Sequence, residues 1–387
     1  MADRRRVLIV QSTLRPPGGT QGVAAWMVEA LKDNCEVGLA CWEPPVFAEV
    51  NRAYGTTIRD GDVTVHAVPL SYRRLAAAMP LRLALLRWAL VLRLARRVSG
   101  SFDVLISAEN EADLGREALQ YIHYPRQLRP RPVADRRWYH RPRVLLAAYY
   151  ALCDRLTGFT LAGVRRNRTL ANSEWTANRV RELDGGVAVS VLPPPVASAS
   201  FSLPWEERAN GFLCVGRIAA EKELEKVVAI VEAVREQVPG VELHLIGSRG
   251  DEAAYYDRVR ALGRARSSWL HLHEQVSRSD LQRMIGSVRY GIHGMRDEHF
   301  GMATAEMVEG GCIVFVPDSG GQVEIVGGDE RLLYVSASEA VEKIVAVLSH
   351  PDRQTALRSD LSRRRGVFSA DRFMQAIRDA VAAMRPK

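Results

Sequence analysis

The stretch Tyr290-Gly291-Ile292-His293-Gly294-Met295-Arg296-Asp297-Glu298-His299-Phe300-Gly301-Met302-Ala303-Thr304-Ala305-Glu306 decides the fold. Tyr290–His293 is short and largely apolar, the pattern of a buried strand. A polar loop carries Glu298, and a helical pattern runs from about Gly301 to Val308 before a second apolar strand, Ile313–Pro317. Strand, loop, helix and strand in that order form the crossover unit of a parallel sheet. Ligands of open parallel sheets bind at the carboxyl ends of the strands, which makes the loop around Glu298 a candidate site.

The same alternation extends outward in both directions. Upstream lie strands Phe212–Val215, Glu242–Ile246 and Leu270–His273, with helical patterns over Leu224–Val238, Ala254–Leu262 and Asp280–Ile285. The first half repeats it with strands Val7–Gln11, Glu36–Cys41, Val63–Val68, Val104–Ser107, Tyr121–His123 and Val187–Leu192, and helices such as Val23–Lys32 and Val144–Arg155. Ser173 is placed to cap a helix beginning at Glu174. Pro193-Pro194-Pro195 continues neither strand nor helix, and the looser stretch from Ala197 to Asn210 marks a domain boundary. The expected architecture is α/β, with two tandem Rossmann-like domains facing across a cleft. They cover residues 1–196 and 197–368, and a terminal helix within 369–387 packs back towards the first domain.

Bulk properties fit that picture. The 387 residues suit two α/β cores. Hydrophobic residues at 47% and charged residues at 25% are those of a globular chain rather than a disordered or fibrous one. Five scattered cysteines (Cys35, Cys41, Cys153, Cys214, Cys312) lack metal-ligand spacing and read as reduced thiols. The apolar run Val7–Val10 is too short for a signal peptide, and no stretch spans a bilayer, so a cytoplasmic location is expected. The net charge of +8 favours anionic partners without choosing among them.

Several groups near the expected strand ends carry chemistry. Gly301 lets backbone approach a ligand, and the N–H groups opening its helix can hold phosphate oxygens. Glu298 and Glu306 can accept hydrogen bonds from hydroxyls, although two glutamates at this spacing also fit a capped helix with solvated carboxylates. After strand Phe212–Val215 come Gly216, Arg217 and Lys222, two cations suited to a diphosphate or, equally by themselves, a solvated basic turn. Pro317-Asp318-Ser319-Gly320-Gly321 is a second glycine-rich strand end. Gly18-Gly19, within Pro16 to Gly22, forms a loop after the first strand but not a dinucleotide fingerprint.

Taken together, these motifs resemble the family-4 retaining glycosyltransferases of the GT-B fold. The likeness covers nearly the whole chain, through Gly18-Gly19, Tyr121-Ile122-His123-Tyr124-Pro125, Leu170-Ala171-Asn172-Ser173, Gly216-Arg217 with Lys222, and Glu298 with Glu306. The resemblance implies that Arg217 and Lys222 bind the donor diphosphate and that Glu298 contacts the transferred sugar. It gives the backbone N–H groups of Phe300, Gly301 and Met302 to sugar and phosphate, and Glu306 to the ribose. It places His123 near the reacting sugar, the loop at Gly18 and Gly19 over the phosphates, and base contacts near Val276. Glu223 departs from the pattern, which has glycine after the lysine. His293-Gly294-Met295-Arg296-Asp297-Glu298-His299-Phe300-Gly301, with the His123-Tyr124-Pro125 segment, is also locally similar to the eukaryotic mannosyltransferases that extend the dolichol-linked core oligosaccharide from GDP-mannose.

The resemblance implies a hexosyltransferase, with GDP-mannose favoured as donor and UDP-sugars as the alternative. It implies retention, no required cofactor or metal, and a glycan or lipid-linked acceptor. An epimerase or phosphorylase of the same fold is a competing reading, as is a non-enzymatic basic protein. Nucleic acid is not expected as a partner, because no recognition motif is present. Asp60-Gly61-Asp62 reads as a turn rather than a metal triplet, and His271 and His273 as structural. Leu81–Arg97 carries five arginines and reads as a core-packed helix with a solvated basic side, or as a helix lying on an anionic membrane. A second basic cluster, Arg126 to Arg143 with Trp138, Tyr139 and His140, suits an acidic lipid or phosphorylated acceptor. Both favour peripheral association with the inner face of a membrane.

Overall fold

Two parallel sheets organise the chain. The computed structural model describes residues 4–16, 18–78, 83–125, 143–185, 187–197, 200–250 and 252–385. The chain divides into two units, Met1–Pro195 with Ala370–Lys387, and Val196–Ser369.

The first unit holds β1 (Arg6–Val10), β2 (Glu36–Cys41), β3 (Val63–Ala67), β4 (Val104–Ser107), β5 (Leu119–Ile122), β6 (Arg168–Ala171) and β7 (Val189–Val191). They pair in the order β3-β2-β1-β4-β5-β6-β7, with parallel ladders throughout. Val7 to Val10 are fully buried, as expected of a central strand covered on both faces. One face packs against helices Gly19–Leu31 and Ala370–Ala383 through Val23, Met27, Phe373 and Ile377. The other packs against helix Ala84–Val98 through Trp88, Val91, Leu92 and Ala95.

The second unit holds β8 (Ala209–Val215), β9 (Glu242–Ile246), β10 (Leu270–His273), β11 (Val288–Ile292), β12 (Ile313–Pro317) and β13 (Leu333–Tyr334), in the order β10-β9-β8-β11-β12-β13. Its ladders are also parallel. The expected fold class of two parallel-sheet α/β domains is therefore borne out. Strands β6 and β13, and helices Ala337–Leu348 and Pro351–Ser362, were not anticipated.

Ser173 does cap helix Glu174–Asp184, its side chain accepting from the Thr176 N–H. The arginine-rich helix packs as core. Arg96 reaches the Asp113 carboxylate at 3.4 Å and the Thr157 carbonyl, and Arg87 lies over the Trp42 ring at 5.5 Å. Of its described arginines, Arg93 and Arg97 are exposed. Of the basic cluster from Arg126 to Arg143, residues 126–142 lie outside the described residues. Among the described residues, no helix is long and apolar enough to cross a membrane.

Candidate functional site

In the second unit, candidate residues collect at the carboxyl ends of β8, β11 and β12. β8 runs into Gly216 and Arg217, and the loop is held against its neighbour by Gly216 N–H to Ile246 O and Ile218 N–H to Ser248 O, both 2.9 Å. Ile218 points into the core. Arg217, between the two bonded residues, is 61% exposed and paired with Glu221 at 2.9 Å. One turn later Lys222 folds inward, and its ammonium donates to Glu298 Oε2 at 2.5 Å.

Glu298 is fixed from both sides. His293, at the end of β11 and 2% exposed, has Nε2 3.2 Å from the same Glu298 oxygen. Tyr334 anchors the His293 carbonyl through its hydroxyl. Behind Glu298, Gly320 adopts φ 81°, and a Cβ there would meet Glu298 O at 2.3 Å. Only glycine permits that approach. Gly321 N–H then donates to Glu298 O at 2.8 Å, and Ser319 Oγ accepts from Asp297 N–H at 2.9 Å. The glycine-rich end of β12 therefore braces the Glu298 backbone. Gln322 ties the same loops together, donating to Met295 O at 2.9 Å and Ser319 O at 3.0 Å.

The electrostatics follow from this packing. Burial works to raise the Glu298 carboxyl, but the His293 hydrogen bond and the Lys222 ammonium overcome it and hold the group well below the carboxylate range. Burial pushes His293 down, and Lys222 adds to the push against the opposing pull of Glu298. The imidazole is thus neutral at neutral pH, with Nε2–H directed at the ionised carboxylate, which can only accept.

Helix Met302–Glu309 opens beside this group. Its N-cap, Gly301, has φ 109° and offers no side-chain cap, so the first-turn N–H groups keep their capacity for an anion. Phe300 contributes backbone only, since its ring is buried against Phe368 with centroids 5.5 Å apart. Glu306 pairs with Arg278 at 2.6 Å. Val276 is partly buried against the core and follows Gln275, held at φ 53°.

The first unit carries its own candidates at the carboxyl ends of β1 and β5. Gly18 precedes helix Gly19–Leu31 without a side-chain cap, and its carbonyl accepts from Tyr54 Oη at 3.0 Å. The His123 N–H donates to Asn110 Oδ1 at 2.8 Å, and its Nε2 lies 2.9 Å from Ala108 O. A carbonyl only accepts, so Nε2 carries the proton. Four described non-glycine residues have positive φ: Asn110, Glu223, Gln275 and Asp297. Asn110 binds His123, and the others adjoin Lys222, Val276 and Glu298. Backbone strain of this kind gathers at functional loops.

Sequence reasoning assigns a role to neither His293 nor Arg278. His293 was visible as a histidine at a predicted strand end, next to the Glu298 loop. Arg278 left no such signal. Asp60-Gly61-Asp62 forms a tight turn in which Asp62 accepts from Arg59 N–H at 2.8 Å. His271 and His273 join His244 on one face of β9 and β10, with the His244 and His271 rings stacked 4.9 Å apart.

Residues 197–363 match the family model for Glycosyl transferases group 1. The fold is the GT-B fold of solved glycosyltransferases: the chain superposes on Anabaena HepE in complex with UDP-glucose with a TM-score of 0.66 at 12% identity, over 98% of this chain and 100% of that one. Among sequence relatives it is similar to the GDP-Man:Man(3)GlcNAc(2)-PP-Dol alpha-1,2-mannosyltransferase of Dictyostelium discoideum, 25% identical over 59% of this chain and 48% of the relative. The Caenorhabditis elegans enzyme of the same name is 27% identical over 52% of this chain and 47% of its own length. The chain thus spans about half the length of the curated relatives it matches. The local likeness to the mannosyltransferases read from His293 to Gly301 is borne out.

Proposed function

We propose that this chain is a retaining hexosyltransferase that moves mannose from GDP-mannose to a glycan or lipid-linked acceptor. The observation that carries the proposal is the Lys222–Glu298–His293 group, with His293 buried and the ion pair largely withdrawn from solvent, set beside exposed Arg217 and an uncapped helix start. Arg217, Lys222 and the N–H groups around Phe300, Gly301 and Met302 bind the diphosphate. Glu298, ionised and oriented by His293, accepts from hydroxyls of the sugar. Glu306 accepts from the ribose, and backbone near Val276 meets the base. In the first unit, taken by itself, His123 and the Gly18-Gly19 loop remain the candidate residues at the ends of β5 and β1.

The bond from the anomeric carbon to the diphosphate breaks as the bond to the acceptor oxygen forms. The acceptor's proton passes to the leaving diphosphate. Glu298, held as an anion by Lys222 and His293, is a poor proton acceptor, which suits front-face transfer in which the leaving diphosphate itself takes the acceptor's proton. Catalysis then lies in positioning and in stabilising leaving-group charge. This chemistry assigns no role to a metal or cofactor.

A lipid-linked acceptor has a place to approach. Helix Leu70–Ala78 exposes Leu70, Tyr72 and Leu75 beside Arg74, an apolar and basic surface suited to an anionic membrane. Peripheral attachment to the cytoplasmic face is part of the proposal.

A UDP-sugar donor is the second reading, favoured by the UDP-glucose complex of HepE. A thermal-shift screen with GDP, UDP, ADP and their sugar conjugates, on wild type and Lys222→Ala, separates the two. A nucleotide at 100 times its Kd stabilises the fold by about 2.7 kcal/mol. Stabilisation by GDP and GDP-mannose, weakened in Lys222→Ala, is the expected result. Stabilisation by UDP compounds alone moves the donor to UDP-sugars, and no response from a folded protein overturns the proposal.

A further inference from the structure

Glu306 and Arg278 meet because two helices pack unusually closely. Arg278 is the first residue of helix Arg278–Ser287, and Ser277 fixes that start by accepting from Asp280 N–H at 3.1 Å. Arg278, Leu281, Gln282 and Ile285 follow helical spacing and share one face. On helix Met302–Glu309, Glu306 lies one turn before Gly310. A Cβ at Gly310 would meet Ile285 Cγ2 at 2.2 Å, so the glycine allows the two helices to touch there. Cys312 Sγ adds a bond to the Ile285 carbonyl at 3.3 Å. The contact sets the register between the helices and leaves Arg278 facing Glu306.

The side chain of Glu306 is only 13% exposed, and that of Arg278 is 32% exposed. An ionised carboxylate removed from water needs a partner. Arg278 Nη1 supplies it by donating to Oε1 at 2.6 Å. One oxygen is thereby used and the carboxylate plane fixed, while Oε2 keeps its capacity to accept. A guanidinium holds a carboxylate in a defined plane, whereas an ammonium acts as a point charge.

We infer that Arg278 is a positioning residue. It aims Glu306 at the vicinal hydroxyls of the donor ribose and so sets the discrimination between ribonucleotides and nucleotides lacking those hydroxyls. This rests on the proposed assignment of Glu306 to the ribose. In this reading Arg278 acts only through Glu306, its observed partner.

The test measures, by calorimetry, the Kd of GDP and UDP and of their 2′,3′-dideoxy counterparts. The proteins are wild type, Glu306→Ala, Arg278→Ala and Arg278→Lys, each checked for folding by thermal melting. Wild type should prefer the ribonucleotide by roughly tenfold, equivalent to about 1.4 kcal/mol. Glu306→Ala should erase the preference, Arg278→Ala should reduce it to less than about threefold, and Arg278→Lys should restore part of it. A general structural role for Arg278 would weaken ribo and dideoxy binding alike and leave their ratio unchanged, and that result overturns the inference. If Arg278→Ala binds the ribonucleotide more tightly, Arg278 is a competitor for Glu306 and the inference also fails. If Glu306→Ala keeps the full preference, the ribose assignment of Glu306 is what fails.

Discussion

Lys222 and Glu298, 76 residues apart in sequence, form a 2.5 Å ion pair with side chains 16% and 17% exposed. Losing one partner leaves a nearly buried charge uncompensated. Lys222→Met should therefore destabilise the fold by about 3 kcal/mol or more. Lys222→Met combined with Glu298→Gln should recover part of that loss, because the stranded charge is gone. On the proposed assignment of Lys222 to the leaving diphosphate, both variants should lose transfer activity by about 100-fold or more. Urea denaturation and steady-state kinetics of the two variants check that stability returns in the double variant while activity does not. If the double variant is less stable than Lys222→Met, the stranded Glu298 charge is not what costs stability and the desolvation argument is wrong.

Glu223 occupies the left-handed region at φ 48°, next to Lys222, where the resembled family has glycine. The turn survives the departure, at a conformational cost of about 1–2 kcal/mol for a side chain in that region. Against this, Lys226 pairs with Glu223 at 3.1 Å near the surface, a contact worth about 0.2–1 kcal/mol. Glu223→Gly should therefore be neutral to about 1 kcal/mol stabilising, with donor binding retained. Below the same turn, a Cβ at Gly294 would meet Lys222 O at 2.6 Å and Val227 Cγ2 at 2.8 Å. Gly294→Ala should shift the Lys222 turn and weaken nucleotide binding. Denaturation curves and nucleotide titrations of both variants decide the point.

Local pattern made the sheets, the glycine-rich strand ends and the Glu298–Glu306 segment legible. Each depends on residues close in sequence. What local pattern does not carry depends on distant partners. β6 is four residues beginning with a charged Arg168, and β13 is two residues supported by pairing with β12. The arginines of helix Ala84–Val98 suggest a solvated basic side, yet Arg96 is taken up by Asp113 and Arg87 by Trp42. Arg278 finds Glu306 on another helix, 28 residues away. His271 and His273 are visible on their strand, but His244 joins them only through the register of β9 with β10.

That histidine cluster predicts acid sensitivity. His244 Nδ1 and His273 Nε2 are 3.0 Å apart, so one must donate and the other accept, which requires a neutral acceptor. Burial, then His271 and His273, push His244 down from 6.5 to about 4, and burial followed by His271 lowers His273. Glu242, 3.4 Å from His271 Nε2 and 3.7 Å from His244 Nε2, opposes the shift for His244. Between pH 6.5 and about 4 the unfolded chain binds protons that the folded one excludes. Stability is therefore retained above pH 6.5 and lost as pH falls towards 4. His244→Asn should flatten that part of the profile relative to wild type. Melting temperatures of both proteins across the window are the check, and parallel profiles would remove His244 as the cause.

Phe373 closes the core of the first unit from the far end of the chain. Its ring is 2% exposed and lies edge-on to Tyr121, centroids 6.1 Å apart, in the same cluster as Val7, Ile9, Val23 and Met27. Tyr121 is in turn fixed by its hydroxyl bond to Leu192 O at 2.7 Å. Phe373→Ala removes a large side chain from a site that cannot easily collapse, because strand and helix frame it on both sides. The expected cost is about 3–5 kcal/mol. Arg378→Ala on the same helix breaks a 3.3 Å bond to Ala30 O and exposed bonds to Gln375 Oε1, and should cost far less. Ending the chain after Ser369 removes Phe373, Ile377 and Val381 together and uncovers the face of helix Gly19–Leu31 that they bury. Amide exchange in that helix should then rise well above its rate in the full chain. Slow exchange in the truncated protein would mean that the terminal helix is dispensable to the first unit.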